Sequence, residues 1–181
     1  MTATRLRPPP YVLGRRWLAG ASSDPRFIYG AWTRGRAALV PVSCRFDAIQ
    51  VDDVSRTRAM VEELRTSERV TGPVLVDHGA RTSYWLVPVR PDALWAMRDS
   101  ELLTDRGDRP MVAMPAPGVG QVDGREWLVD PDGSGALTAH ADLAVALRLA
   151  RMAEGRRLRG REPARRTCGR PQPAETRKPR T

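Results

Sequence analysis

Apolar positions change their spacing several times along the chain, and each change predicts an element. Residues 46–51 read Phe-Asp-Ala-Ile-Gln-Val, an alternation broken only at Ile49, as in a strand. Val54, Met60, Val61 and Leu64 then recur at helical spacing through residues 54–68, with Arg56, Arg58, Glu62, Glu63 and Arg65 largely outward. Asp52-Asp53 offer this helix an N-cap, and Thr71-Gly72-Pro73 stop it. Residues 74–77 and 83–89 are β-rich runs, and His78-Gly79-Ala80-Arg81-Thr82 between them reads as a hairpin connection. Residues 111–114 and 126–129 predict two more paired strands joined by a Gly- and Pro-rich loop. Leu143, Val145, Leu147 and Leu149 predict a last helix, capped by Thr138 or His140, running to about residue 152 and stopped at Gly155.

The N-terminal third is more broken. Pro8-Pro9-Pro10 read as a bar to helix formation, so residues 1–10 are expected to form a loose arm. Residues 11–21, with Val12, Trp17 and Leu18, predict a short helix. Asp24-Pro25 and Gly30 punctuate a loop region around Phe27, Tyr29 and Trp32. Residues 37–42 predict an edge strand ending near Pro41, and residues 92–98 a short helix behind Pro91. Hairpins without regular βαβ alternation imply an α+β fold, a mixed or antiparallel sheet with helices packed on one face. One domain is expected over residues 11–154. Residues 155–181, rich in Arg, Pro and Gly, are expected to be disordered when free.

Charge changes the picture, chiefly by its placement. Of the net +9, residues 151–181 carry +8: ten Arg and Lys178 against Glu154, Glu162 and Glu175. The remaining 150 residues are nearly neutral. A flexible segment of that charge associates with polyphosphate through counterion release, which makes Arg156, Arg157, Arg159, Arg161, Arg165, Arg166 and Arg170 candidate nucleic-acid contacts. An anionic membrane surface or an acidic protein patch would satisfy the same charge, and Arg-rich coding follows from G+C bias as well. No apolar run approaches the ~20 residues of a membrane span, and the N-terminus lacks the apolar stretch of a signal peptide. A soluble, cytoplasmic protein is expected. Cys44 and Cys168 with His78 and His140 make neither a disulfide pattern nor a zinc spacing.

Three segments in order, Arg45-Phe46-Asp47-Ala48-Ile49-Gln50-Val51-Asp52-Asp53, Asp108–Pro117 and Glu126–Pro131, resemble the prim-pol domain of bifunctional DNA primase/polymerases, in the archaeo-eukaryotic primase superfamily. The likeness covers roughly residues 17–150. It implies a strand running into an Asp-x-Asp pair, a Gly-containing turn followed by a His, and a third Asp before a hydrophobic-Ala-Pro segment. Here Gln50 stands at the first carboxylate position and Asp52 at the second. Ser83 falls about where the His is expected, and Thr104 takes the third carboxylate position beside Asp105. The resemblance further implies a bacterial replication or mobile-element context and replication proteins as partners.

Two-metal nucleotidyl transfer needs carboxylates to hold hard cations about 4 Å apart. Asp52, Asp105 and Asp108 are the remaining catalytic candidates, and Mg²⁺ or Mn²⁺ is a cofactor only if they act together; otherwise no cofactor is expected. Asp47 and Val51 share a strand face opposite that of Gln50 and Asp52. Plainer roles compete throughout. Asp52-Asp53 serve as a helix cap, His78 and His140 as turn and helix-start residues, Cys44 as a small buried hydrophobe, and Tyr84, Trp85 and Trp127 as core. Tyr84 and Trp85 point to opposite faces, so at most one is expected to face a core. Three functions follow: a catalytically degenerate prim-pol-like protein binding nucleic acid or a nucleotide, an active metal-dependent DNA primase/polymerase with a rearranged acidic site, or a non-catalytic interaction scaffold with a basic tail.

Overall fold

A computed structural model of the chain describes residues 8–90 and 94–160, the side chains of 157–160 excepted. The elements run α1 (Pro10–Ala19), α2 (Pro25–Thr33), β1 (Ala38–Pro41), β2 (Asp47–Asp52), α3 (Val54–Thr66), β3 (Val74–Asp77), β4 (Thr82–Val87), β5 (Ser100–Leu103), β6 (Met111–Met114), β7 (Arg125–Val129) and α4 (His140–Gly160). The fold is α+β, as the hairpin-rich pattern implies.

Proline starts helices here. Pro10 is the first residue of α1, where its missing N–H costs no hydrogen bond, and extended Pro9 precedes it. Part of the expected loose arm is therefore the start of α1. Asp24-Pro25 likewise opens α2 where a loop was expected: the Asp24 carboxylate accepts from the Arg26 N–H at 3.0 Å, with Pro25 at the first helical position. Residues 94–98 are not helical, against the helix expected there, and residues 91–93 lie outside the described residues. Gly155 does not stop α4, which continues to Gly160.

Five strands form an antiparallel sheet in the order β5-β2-β4-β3-β7, and β1 pairs with β6 in a separate two-stranded ribbon. Thus β6 and β7 are not partners of each other, contrary to the expected hairpin; β6 goes to β1 and β7 to β3. Helices cover both sheet faces rather than one. On one side α3 and α4 pack Met60, Leu64, Leu143 and Leu147 against Ile49, Val51, Val74, Trp85 and Val87. On the other, Leu18 of α1, Ile28 of α2, and Val40 and Met114 of the ribbon pack against Phe46, Ala48, Leu75 and Leu86. Both clusters are removed from water, the main source of stability here. Gly14 lets α1 approach closely: a Cβ there would collide with the Pro131 carbonyl oxygen.

Arg56 ties α3 to α4. Its Nε donates to Glu154 at 2.8 Å and an Nη to Asp99 at 3.2 Å. Burial alone would lower its pKa, but the hydrogen bonds it donates to Glu154 and Asp99 outweigh that and hold it above the usual value. This arginine was expected to point outward. Its neighbours come from elements that sequence spacing does not connect. Among the described residues, no helix is long and apolar enough to cross a membrane.

Candidate nucleic-acid interface and the dispersed carboxylates

The alternation of β2 puts Asp47, Ile49 and Val51 toward α3 and α4, and Gln50 and Asp52 toward the opposite face, as its period of two requires. Gln50 lies opposite Tyr84 on one side and Glu101 on the other. Asp52 lies opposite Thr82, which in turn lies opposite Asp77, and Asp77 opposite Arg125. These residues form a polar row across one end of the sheet. Asp52 is exposed there, while Asp77 is not.

Asp77 is committed to structure. One carboxylate oxygen accepts from the Ala80 N–H at 2.9 Å, closing the β3–β4 turn, and the other receives Arg125 at 2.6 Å. Asp53 caps α3, as expected of this pair, accepting from the Ser55 N–H at 3.0 Å from a backbone at φ 70°. The Ser55 side-chain and backbone hydrogen bonds hold its carboxyl below the usual range, with Arg56 and Arg81 adding to this.

The other positions singled out by the resemblance do not join Asp52. Ser83 is fully buried on the α3 side, where its hydroxyl receives the Thr57 hydroxyl at 2.7 Å and the Trp85 indole N–H at 3.2 Å. A group there faces away from Asp52. Leu103 pairs with Ala48, so Asp105 falls near Phe46, six residues back along β2 from Asp52, or about 20 Å at ~3.3 Å per residue. The Asp105 N–H donates to the Ser43 hydroxyl, which fastens it to that far end, and its carboxylate accepts from the Gly107 N–H at 2.8 Å. Asp108 is exposed farther along the same loop, and Thr104 is buried. The register thus keeps Asp52 apart from Asp105, and no three acidic, His or Cys residues gather in a metal-holding group among the described residues.

Asp47 is fully buried, with one oxygen accepting from the Arg90 N–H at 2.9 Å and the other without a partner among the described residues. Near it, His140 stands edge-on to Trp95, and burial depresses its pKa, with Arg90 adding to the depression and Asp47 opposing it. His78 is an exposed turn residue 3.0 Å from Glu126. Trp85 is core on the α3 side, and Tyr84 also packs at the border of the opposite core, because both faces are covered. Trp127 is half-buried and donates its indole N–H to the Pro115 carbonyl at 3.0 Å. Cys44 is exposed rather than buried, in the bend before β2.

Of the candidate nucleic-acid contacts, Arg156 is exposed on α4, and Arg157 and Arg159 belong to its last turns. Arg161, Arg165, Arg166 and Arg170 lie outside the described residues, as does Cys168. Sequence reasoning missed Arg56, Asp77 and Arg125, whose partners come from distant strands and helices. No family model, curated protein or solved structure matches the chain.

Proposed function

We propose that this protein binds nucleic acid through its C-terminal arginines, on a prim-pol-like layout whose acidic positions no longer act as one metal cluster. The observation that carries the reading is α4. It is packed on the sheet through Leu143 and Leu147, continues past Gly155, and leads Arg156, Arg157 and Arg159 directly into the most basic part of the sequence. Cations at a helix C-terminus also complement its macrodipole. The separation of Asp52 from Asp105 weighs against the primase/polymerase alternative. A replication or mobile-element setting, with replication proteins as further partners, follows from the resemblance.

Binding of the full chain to a single-stranded oligonucleotide across a salt series tests this. Every phosphate that an arginine neutralises adds about 0.7 to the log–log salt slope on single strands, so changing Arg161, Arg165, Arg166 and Arg170 together to Gln should reduce the slope by about 3. An unchanged slope would overturn the role given to the tail. Metal-dependent primer synthesis abolished by Asp52→Ala would replace this reading with the enzymatic one.

A further inference from the structure

A groove of about 550 Å³ lies between α1, the start of α2 and the bend before β2. It belongs to the end of β2 away from Asp52. Its chemistry comes from four side chains, Arg16, Trp17, Tyr29 and Arg45, and among the described residues no acidic residue lines it. Neither guanidinium meets a carboxylate among the described residues.

Three of the four side chains are held in place before any ligand arrives. The Nε of Arg45 donates to the Gly20 carbonyl at 2.8 Å, at the C-terminus of α1. Gly20 leaves room for this approach: a Cβ there would lie 3.1 Å from the Arg45 guanidinium carbon, close enough to shift it by a few tenths of an ångström. With Nε used, the two terminal nitrogens of Arg45 remain as donors in a fixed fork, the geometry suited to a phosphate. Trp17 stacks on buried Phe46, with ring centroids 5.3 Å apart and planes inclined by 29°. Tyr29 stands edge-on to Trp32 at 5.6 Å and keeps 41% of its surface exposed. Arg16 adds a second cation in the last turn of α1.

Two arginines at a helix C-terminus also complement its dipole, and that alone would explain their sign. It does not explain why they border a cavity with two pinned aromatic rings. One fixed cation and a second beside it, next to aromatic rings in a cleft of the size that takes small ligands, match an anion that carries a flat ring. We propose that this groove binds a nucleoside 5′-phosphate unit, with Arg45 and Arg16 on the phosphate and Tyr29 and Trp17 against the base. The unit comes either as a free nucleotide or as the phosphorylated 5′ end of a single strand. The proposal does not rest on the tail, because every residue it uses belongs to the folded body.

The test uses the full chain, titrated with AMP, adenosine and inorganic phosphate and followed by calorimetry. AMP should bind one per chain and at least about tenfold more tightly than either fragment, because only AMP meets both halves of the groove. Arg45→Gln and, separately, Arg16→Gln should each weaken AMP about tenfold. Arg58→Gln, an equal change in charge at an exposed position of α3 on the other side of the sheet, should have no effect. Arg16 has no side-chain partner to lose among the described residues, so its variant guards against misfolding of the other. Equal binding of AMP and phosphate, or equal effects of Arg45→Gln and Arg58→Gln, would overturn the proposal. Oligothymidylate with and without a 5′-phosphate distinguishes the sources. A preference for the phosphorylated strand that Arg45→Gln removes assigns a strand end, and no preference with AMP binding intact assigns a free nucleotide. Strand binding insensitive to the tail arginines, with AMP binding retained, would sink the tail reading alone.

Discussion

The two faces of the five-stranded sheet are covered differently, and the difference explains where polar groups survive. On the α3–α4 side two helices, joined through Arg56, close over the strands, and the polar groups there are buried: Asp47, Ser83 and Thr57. On the other side α1, α2 and the β1–β6 ribbon pack over Phe46, Ala48, Leu75 and Leu86. There Gln50 stays half-buried and Asp52 exposed at the sheet end. One strand thus carries one acid of each kind: Asp47, sealed under helices, and Asp52, open to water. Covering decides the fate of a carboxylate more than its position in a sequence pattern does.

The contrast can be broken most severely in the closed core. Trp85→Ala removes a fully buried indole, so a loss of about 4 kcal/mol in a denaturant titration is expected, the usual range for such a deletion. Asp77→Ala should cost about 2 kcal/mol, because it strips the β3–β4 turn of its acceptor and takes from Arg125 the carboxylate it pairs with.

His140 should give a smaller, pH-dependent effect. Its folded pKa lies below the unfolded value of 6.5, so the folded state resists protonation. Its contribution to stability is complete above pH 6.5 and is lost as the pH falls through the depressed folded value. Melting temperature should therefore decline on acidification from pH 7.5, and His140→Phe, which keeps an aromatic ring beside Trp95, should flatten that limb. An identical slope in both proteins would show that other groups set it. The smallest effect is expected at the open end: Asp52→Ala should change stability by no more than about 0.5 kcal/mol, as for an exposed side chain that has no partner among the described residues. A cost comparable with that of Asp77→Ala would erase the distinction drawn along that row of the sheet.

Local chemistry was legible wherever a short stretch settles its own conformation. The strands Val74–Asp77 and Met111–Met114 have the bounds that their apolar runs predict, and Asp53 caps α3 as its place before Val54 implies. The opposite orientation of Asp47 and Asp52 also followed from a period of two. Asp24-Pro25 was misread because the same dipeptide marks a turn or starts a helix, and only the chain beyond it decides. Ser100–Leu103 was missed because four residues carry too little pattern; pairing with β2 makes them a strand.

Read alone, the chain determined the class of fold, most of its elements and the concentration of positive charge near its end, since these depend on neighbours a few residues apart. Tertiary structure alone decided that β6 leaves β7 for β1, that helices take both sheet faces, and that Asp105 is fastened at the far end of β2 from Asp52. It also brought Arg45 onto the end of α1, 25 residues earlier in the chain. Pairing and register are set by the combined packing of distant segments, and no local spacing encodes that sum.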